Sequence, residues 1–306
     1  MSDIILHHYD SSPFSEKVRI CLGIKGLAWK AVTQPVIMPK PDLIPLTGGY
    51  RRIPVMQIGA DIYCDSQLIV RELERRYPTP SLYPTGDAGL AQAMMLWTDR
   101  GFFSAAVALI FGGIGGAIDP AFAKDREALS GRPFDANAMK AAAPFMAEQL
   151  RSHLAWLDEQ LADGRAFLTG DKPGLADANA YYNAWFMRSA YPPSAKALDG
   201  FPRILAWEAR VKGIGHGQRS EMTPAEAIAV AKAATATTAD ATDPGEPNGL
   251  KAGEAVRVMA DDYGRDPIEG VLVSSSAHHV AIRRKSPEVG EVVTHFPRIG
   301  YIVLKA

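Results

Sequence analysis

The 306-residue chain has only two cysteines, Cys21 and Cys64, and they form no CxxC pair. That excludes a disulfide scaffold and a dithiol redox motif, and it predicts a reducing, cytoplasmic setting. An excess of charge of one sign is also missing, with 33 Lys and Arg against 34 Asp and Glu. The net charge is -1, so no general attraction to nucleic acid or to an anionic membrane follows. The N-terminus lacks a basic stretch followed by an apolar run, which predicts no secretory leader. The most apolar segment, Phe102 to Ile118, is short for a membrane span. It is also broken by Gly112, Gly113, Gly115 and Gly116, so it reads as a buried helix and its exit. Those glycines do not form a GxGxxG after a strand, which removes nucleotide binding. His7-His8 and His278-His279 are adjacent pairs whose members point to opposite faces of a strand, so no metal site is expected. No Ser-His-Asp set emerges from spacing. What is present is 47% hydrophobic and 22% charged residues, ordinary for a globular chain long enough for two domains and a small third.

Local patterning divides the chain in three. Ile4-Ile5-Leu6 with His7-His8-Tyr9 reads as a buried strand. Ser12 or Ser15 caps the helix after it, whose Val18, Cys21 and Leu22 recur at helical spacing. Ala28 to Pro35 reads as a second strand, and Pro39, Pro41 and Pro45 forbid a long helix before Tyr50. Pro54 to Ile58 and Ile62 to Cys64 form a hairpin around Gly59-Ala60-Asp61. Asp65 or Ser66 then caps a helix running to Arg76. Strands vanish from Gly86 onward. Helices are predicted over Leu90 to Ile110, Pro144 to Leu161, Ala176 to Tyr191 and Ile204 to Val211. A further helix opens with a capping box, with Thr223 as cap, Pro224 next and Glu226 three residues on. Residues 236–249, rich in Ala, Thr, Asp, Pro and Gly, read as a linker. Beyond it come five short strand-like runs: Ala255 to Met259, Gly270 to Ser274, His279 to Arg283, Glu291 to Phe296 and Tyr301 to Lys305. Five strands in under about 60 residues suggest a small barrel of SH3-like size.

Two places set a polar residue at the front of a helix. One is Ser11-Ser12-Pro13-Phe14-Ser15, the other Cys64-Asp65-Ser66, with Arg51-Arg52-Ile53-Pro54-Val55 nearby. A thiol of pKa about 8.5 is mostly protonated at neutral pH. Free N–H groups at a helix start carry partial positive charge, and a hydroxyl among them can donate to sulfur and favour the thiolate. The layout therefore suits a thiol or another anion.

In combination, the β-α-β-β-β-α unit, Ser-Pro-Phe-Ser, Arg-Ile-Pro-Val and Asp-Ser resemble the thioredoxin-fold half of the glutathione transferases. The helical segment resembles their second domain. The resemblance spans roughly residues 3 to 235, and the serine-type tau, zeta and related bacterial groups look closest. It implies an α/β thioredoxin-like domain at 1–83 and an all-α helical domain at 88–235. A small all-β, SH3-like unit at 250–306 lies outside the family pattern. It also implies glutathione as co-substrate, no metal, a hydrophobic electrophile as second substrate, and a cytoplasmic homodimer in a detoxification role. By resemblance Ser12 is the catalytic hydroxyl, with Ser11 and Ser15 as alternatives or supports. It stands where redox relatives carry cysteine, and serine cannot form a mixed disulfide. Ile53-Pro54 is implied to be a cis bond whose backbone edge receives the middle of glutathione. Asp65 and Ser66 suit the γ-glutamyl ammonium and carboxylate, and Arg52 and Lys40 the glycyl carboxylate. Phe14 and Phe102 are candidates for the electrophile wall. The Gly174-to-Asp177 stretch departs from the family's Ser/Thr-x-x-Asp box and predicts a buried, structural Asp177. Two other readings stand beside the transferase: a narrower glutathione-dependent etherase or dehalogenase, and a non-catalytic interaction protein whose working part is the C-terminal β unit.

Overall fold

The computed structural model describes residues 2–306. The first part runs β1 (Ile5–His8), α1 (Pro13–Ile24), β2 (Ala28–Thr33), the one-turn α2 (Ile44–Thr47), β3 (Val55–Ile58), β4 (Asp61–Cys64) and α3 (Ser66–Arg76). Strands β1 and β2 are parallel, while β3 is antiparallel to both β1 and β4. This is the thioredoxin-like arrangement that the sequence implied. α1 is shaped by Ser12, whose Oγ accepts from Ser15 N at 3.2 Å, and by Pro13 in its first turn, where a missing N–H costs nothing.

The helical part comprises α4 (Ala88–Trp97), α5 (Phe103–Ile114), α6 (Pro120–Ser130), α7 (Ala136–Gln160), α8 (Leu175–Ala190), α9 (Pro202–Ile214) and α10 (Pro224–Ala233). α4 runs into α5 through one widened π turn, Thr98–Phe102. α7 starts at Ala136, eight residues before the proline from which the sequence pattern began it. Asp135 caps it through Asn137 N and Ala138 N, both at 2.9 Å, so the helix nucleates upstream and carries Pro144 inside. α6 has no strong apolar period and was not anticipated; Asp119 caps it at Ala121 N. The glycines that break the apolar run have a packing reason at Gly112. A Cβ there would lie 2.8 Å from the Lys140 backbone nitrogen, so α5 and α7 touch backbone to backbone. Asp177 is fully buried at the start of α8. Its carboxylate accepts from Leu168 N, Gly174 N and Trp207 Nε1 at 2.8–2.9 Å, supplying the polar contacts that Gly174 lacks. The Thr223–Glu226 box opens α10 as expected.

Two strand findings depart from the sequence reading. Gln218–Glu221 forms β5, parallel to β2. All four residues are exposed and polar, so no alternation announces the strand. It is held by Gln218 N to Leu27 O and Met222 N to Ala31 O, both 2.9 Å. The other departure concerns the C-terminal unit: β6 (Ala255–Ala260), β7 (Ile268–Ser275), β8 (His279–Ser286), β9 (Gly290–Pro297) and β10 (Tyr301–Lys305). Its five strands follow the expected runs in the order β10-β6-β7-β8-β9, but they do not close on themselves alone. β9 pairs in parallel with β4, giving one mixed ten-stranded sheet.

The junction is apolar as well as hydrogen-bonded. Leu43, Leu46, Val55, Ile62 and Cys64 share a buried cluster with Val256, Val258, Leu272, Ile282 and Phe296. At the same junction Asp61 is itself fully buried. Its carboxylate accepts from Thr237 N and Thr237 Oγ1 at 2.8 Å, and from Thr238 Oγ1 and His295 Nε2 at 3.0 Å. The Tyr63 ring stacks on His295 at 4.4 Å. The stretch read as a linker is thus fastened at its start, and Ala241 N bonds to Val273 O at 2.8 Å further along. A free β4 edge would invite foreign pairing; β9 covers it.

Candidate functional site

The three parts meet at one cavity of about 100 Å³. Its walls are the approach to β3 (Arg52, Ile53, Pro54), the start of α3 (Asp65, Ser66, Gln67), Phe14 of α1, the π-turn residues Asp99 and Arg100, and the C-terminal unit (Asp262, Tyr263, Tyr301). Six of the sequence-selected residues line it: Phe14, Arg52, Ile53, Pro54, Asp65 and Ser66. The Ile53–Pro54 bond is cis.

Asp65 is the only described non-glycine residue with a positive φ, 75°. That conformation costs on the order of 1–3 kcal/mol and is kept only where the surroundings impose it. Here two contacts hold it. Oδ1 accepts from Gln67 N at 2.9 Å, capping α3. Oδ2 accepts from the Tyr301 hydroxyl at 3.1 Å. The cap at this helix is therefore Asp65, which leaves the Ser66 hydroxyl for another partner.

That partner is Lys17, which sequence reasoning missed. Its Nζ donates to Ser66 Oγ at 3.2 Å and to both Asp99 oxygens at 2.7 and 2.6 Å. The Lys17 side chain is completely buried, between the rings of Phe14 and Tyr182 at 5.3 and 5.1 Å. Tyr182 donates to Asp99 Oδ1 at 2.9 Å. Burial pushes the Asp99 carboxyl above its ordinary value, with Lys17 acting against that rise. The π turn swings Asp99 toward this cluster, a placement that helical periodicity does not predict. A lysine in the first turns of an otherwise apolar helix face was the one available signal.

Ser12, Lys40 and Phe102 do not line the cavity. Ser12 is buried at the N-terminus of α1, two residues before Phe14. Its oxygen accepts the capping bond from Ser15 N, and its hydroxyl also interacts with the Tyr9 hydroxyl. Lys40 Nζ donates to the Pro35 carbonyl and lies over the Tyr9 ring. Burial pulls its ammonium down to about 8. The surrounding 35–52 segment is tied to α6: Asp125 accepts from Met38 N and Arg51, and Arg126 donates to Val36 O. Phe102 belongs to the helical core, packed on Trp97 and His153, because the π turn rotates it inward. Both cysteines are buried; the Cys21 thiol is pushed up to about 12 by desolvation, and Cys64 also rises. Neither is a nucleophile at neutral pH.

Residues 6–81 match the model described as glutathione S-transferase, N-terminal domain, and residues 116–210 the one described as glutathione S-transferase, C-terminal domain. A crystal structure of a GST-like protein from Pseudomonas syringae is 37% identical, covers 100% of both chains and superposes with a TM-score of 0.84. Its match therefore includes the C-terminal strands. A probable glutathione S-transferase of Solanum tuberosum is 25% identical over 213 residues, 68% of this chain and 85% of its own. A tau-class glutathione S-transferase from mango, Mangifera indica, is 18% identical over 70% of this chain and 92% of its own, with a TM-score of 0.54. That last likeness shows the fold alone.

Proposed function

The chain belongs to the glutathione S-transferase family, and on that premise we propose that it activates glutathione for attack on an electrophile. The observation that carries the reading is the convergence of Ile53–Pro54, Arg52 and the Asp65–Ser66 start of α3 on one cavity beside Phe14. The backbone before Pro54 offers an extended edge to a peptide-like ligand. The α3 N-terminus, with the Ser66 hydroxyl, suits a carboxylate, and Asp65 suits an ammonium group. Lys17, fixed between Ser66 and Asp99, keeps positive charge close to that carboxylate. In our serine-type reading the thiol proton passes to solvent, and the Ser12 hydroxyl turns to donate a hydrogen bond to the sulfur that stabilises the thiolate. The thiolate lone pair then forms the carbon–sulfur bond, and the leaving group departs with its electron pair. The second substrate is apolar and lies against Phe14. By family resemblance the protein is a cytoplasmic homodimer.

Conjugation of glutathione to an activated aryl halide tests this in wild type and Ser12→Ala. A hydrogen bond to a charged sulfur is worth about 1.5–3 kcal/mol, so the variant's rate falls by roughly 10- to 150-fold. An unchanged rate refutes the role of Ser12. The size of the cavity favours a second reading. At about 100 Å³ it is below the roughly 300–1,000 Å³ of sites that enclose small molecules. A non-catalytic interaction protein is consistent with that, and calorimetry showing no glutathione binding at millimolar concentration would support it.

A further inference from the structure

The C-terminal unit reaches into this cavity with the 261–265 segment between β6 and β7. Asp262 pairs with Arg52 through Nη2. The Tyr263 ring lies 3.8 Å from the Arg52 guanidinium carbon. Gly264 N donates to Leu129 O at 2.7 Å, fixing the segment to the end of α6. The pairing is incomplete, because Arg52 Nε is buried and has no hydrogen-bond partner. A guanidinium presents Nε and Nη2 as a fork that a carboxylate fills with two parallel bonds. Asp262 fills one arm only. The buried, unpartnered arm points to an occupant that binds this arginine better than Asp262 does.

We propose that Asp262 is an internal stand-in for a ligand carboxylate: a carboxylate of the bound thiol replaces it at Arg52, and displacing Asp262 with Tyr263 is a cost that only a ligand bringing a carboxylate to Arg52 recovers. The energetics follow from exchange. A ligand carboxylate returns to Arg52 the charge partner that it removes and adds the bond to Nε. A ligand lacking that carboxylate must either leave Asp262 in place, in a cavity too small for it, or strand a buried guanidinium without its counter-ion, which is costly. The 261–265 segment moves out as the ligand enters, enlarging the cavity. The competitor is thus built into a part of the chain that lies about 200 residues from Arg52 in sequence and outside both matched family regions.

The inference rests on the glutathione reading, and titration calorimetry separates the two. The full-length wild type, Asp262→Asn and Tyr263→Ala are titrated with glutathione and with its glycyl monoethyl ester, after circular dichroism confirms native folding. Asp262→Asn removes the competitor, so glutathione binds about tenfold tighter, the scale of one charge-assisted hydrogen bond. The ester must also displace Asp262, so it gains by a similar factor, while both wild type and Asp262→Asn prefer glutathione to the ester because Arg52 recognises the carboxylate in each. Tyr263→Ala shifts glutathione in the same direction. Wild-type binding with both variants unchanged or weaker overturns the stand-in role and leaves the glutathione reading intact. Binding by Asp262→Asn but not by wild type supports both. Absence of binding in all three proteins overturns the glutathione reading and this inference with it.

Discussion

Replacing Asp61 with asparagine loosens the C-terminal strands from the rest of the sheet. The carboxylate is fully buried and accepts four hydrogen bonds, from Thr237 N, Thr237 Oγ1, Thr238 Oγ1 and His295 Nε2. Burial works to raise its pKa, but the bonds from His295 and Thr237 prevail and hold it down to about 2, against an ordinary 3.8. A difference of nearly two pH units corresponds to about 2–3 kcal/mol favouring the folded, charged form. The carboxyl is depressed, so its contribution is complete above about pH 4 and disappears as pH falls toward 2. An asparagine side chain has one acceptor oxygen, and its amide would face the remaining donors with a donor of its own. The expected loss at neutral pH is about 2–4 kcal/mol. Urea denaturation measures the total, and amide exchange of residues 237–241 and β9 localises it. Limited proteolysis supplies a third readout: cleavage within residues 240–248 becomes rapid in Asp61→Asn and stays slow in wild type. A loss below about 0.5 kcal/mol, with unchanged exchange in β9, would refute the view that Asp61 fastens the unit. Wild-type stability that does not fall between pH 4 and 2 would refute the charge argument.

Lys17→Met leaves the largely buried Asp99 carboxylate without its cation and costs about 3–5 kcal/mol. In Lys17→Met/Asp99→Leu part of that loss is recovered; a double variant less stable than the single one would contradict the ion-pair account. Gly112→Ala forces a Cβ against the Lys140 backbone and lowers stability by about 1–3 kcal/mol, read from the thermal midpoint. In the native protein neither Cys21 nor Cys64 reacts with an aromatic disulfide reagent at pH 7–8, and both react after unfolding; rapid native labelling of either would contradict their burial.

The thioredoxin-like half was legible because its signals are local. Ser12 before Pro13, Asp65 before Ser66, and the short apolar runs of β3 and β4 around a glycine turn each act within a few residues. The five C-terminal strands were legible for the same reason. β5 was not, since Gln218–Glu221 is exposed and is a strand only because β2 offers it a free edge. α6 and the first two turns of α7 escaped because their stability comes from caps and packing rather than from an apolar stripe. At the site, the sequence selected the residues nearest the helix starts and missed Lys17 and Asp99. Charged residues usually face solvent, and nothing in local pattern says that these two are packed against each other.

The sequence by itself determined the order of elements and the polar residues at two helix starts beside Ile53–Pro54. Those choices follow from hydrophobic period, capping and proline chemistry, which need no distant partner. Only the tertiary structure decided that β9 pairs with β4, that Asp61 fastens the junction, and that Asp262, Tyr263 and Tyr301 stand at Arg52 and Asp65. Sheet edges and buried charges are satisfied by whatever the folded chain brings within hydrogen-bonding distance. For Arg52 that is a segment about 200 residues away, which no local pattern foretells.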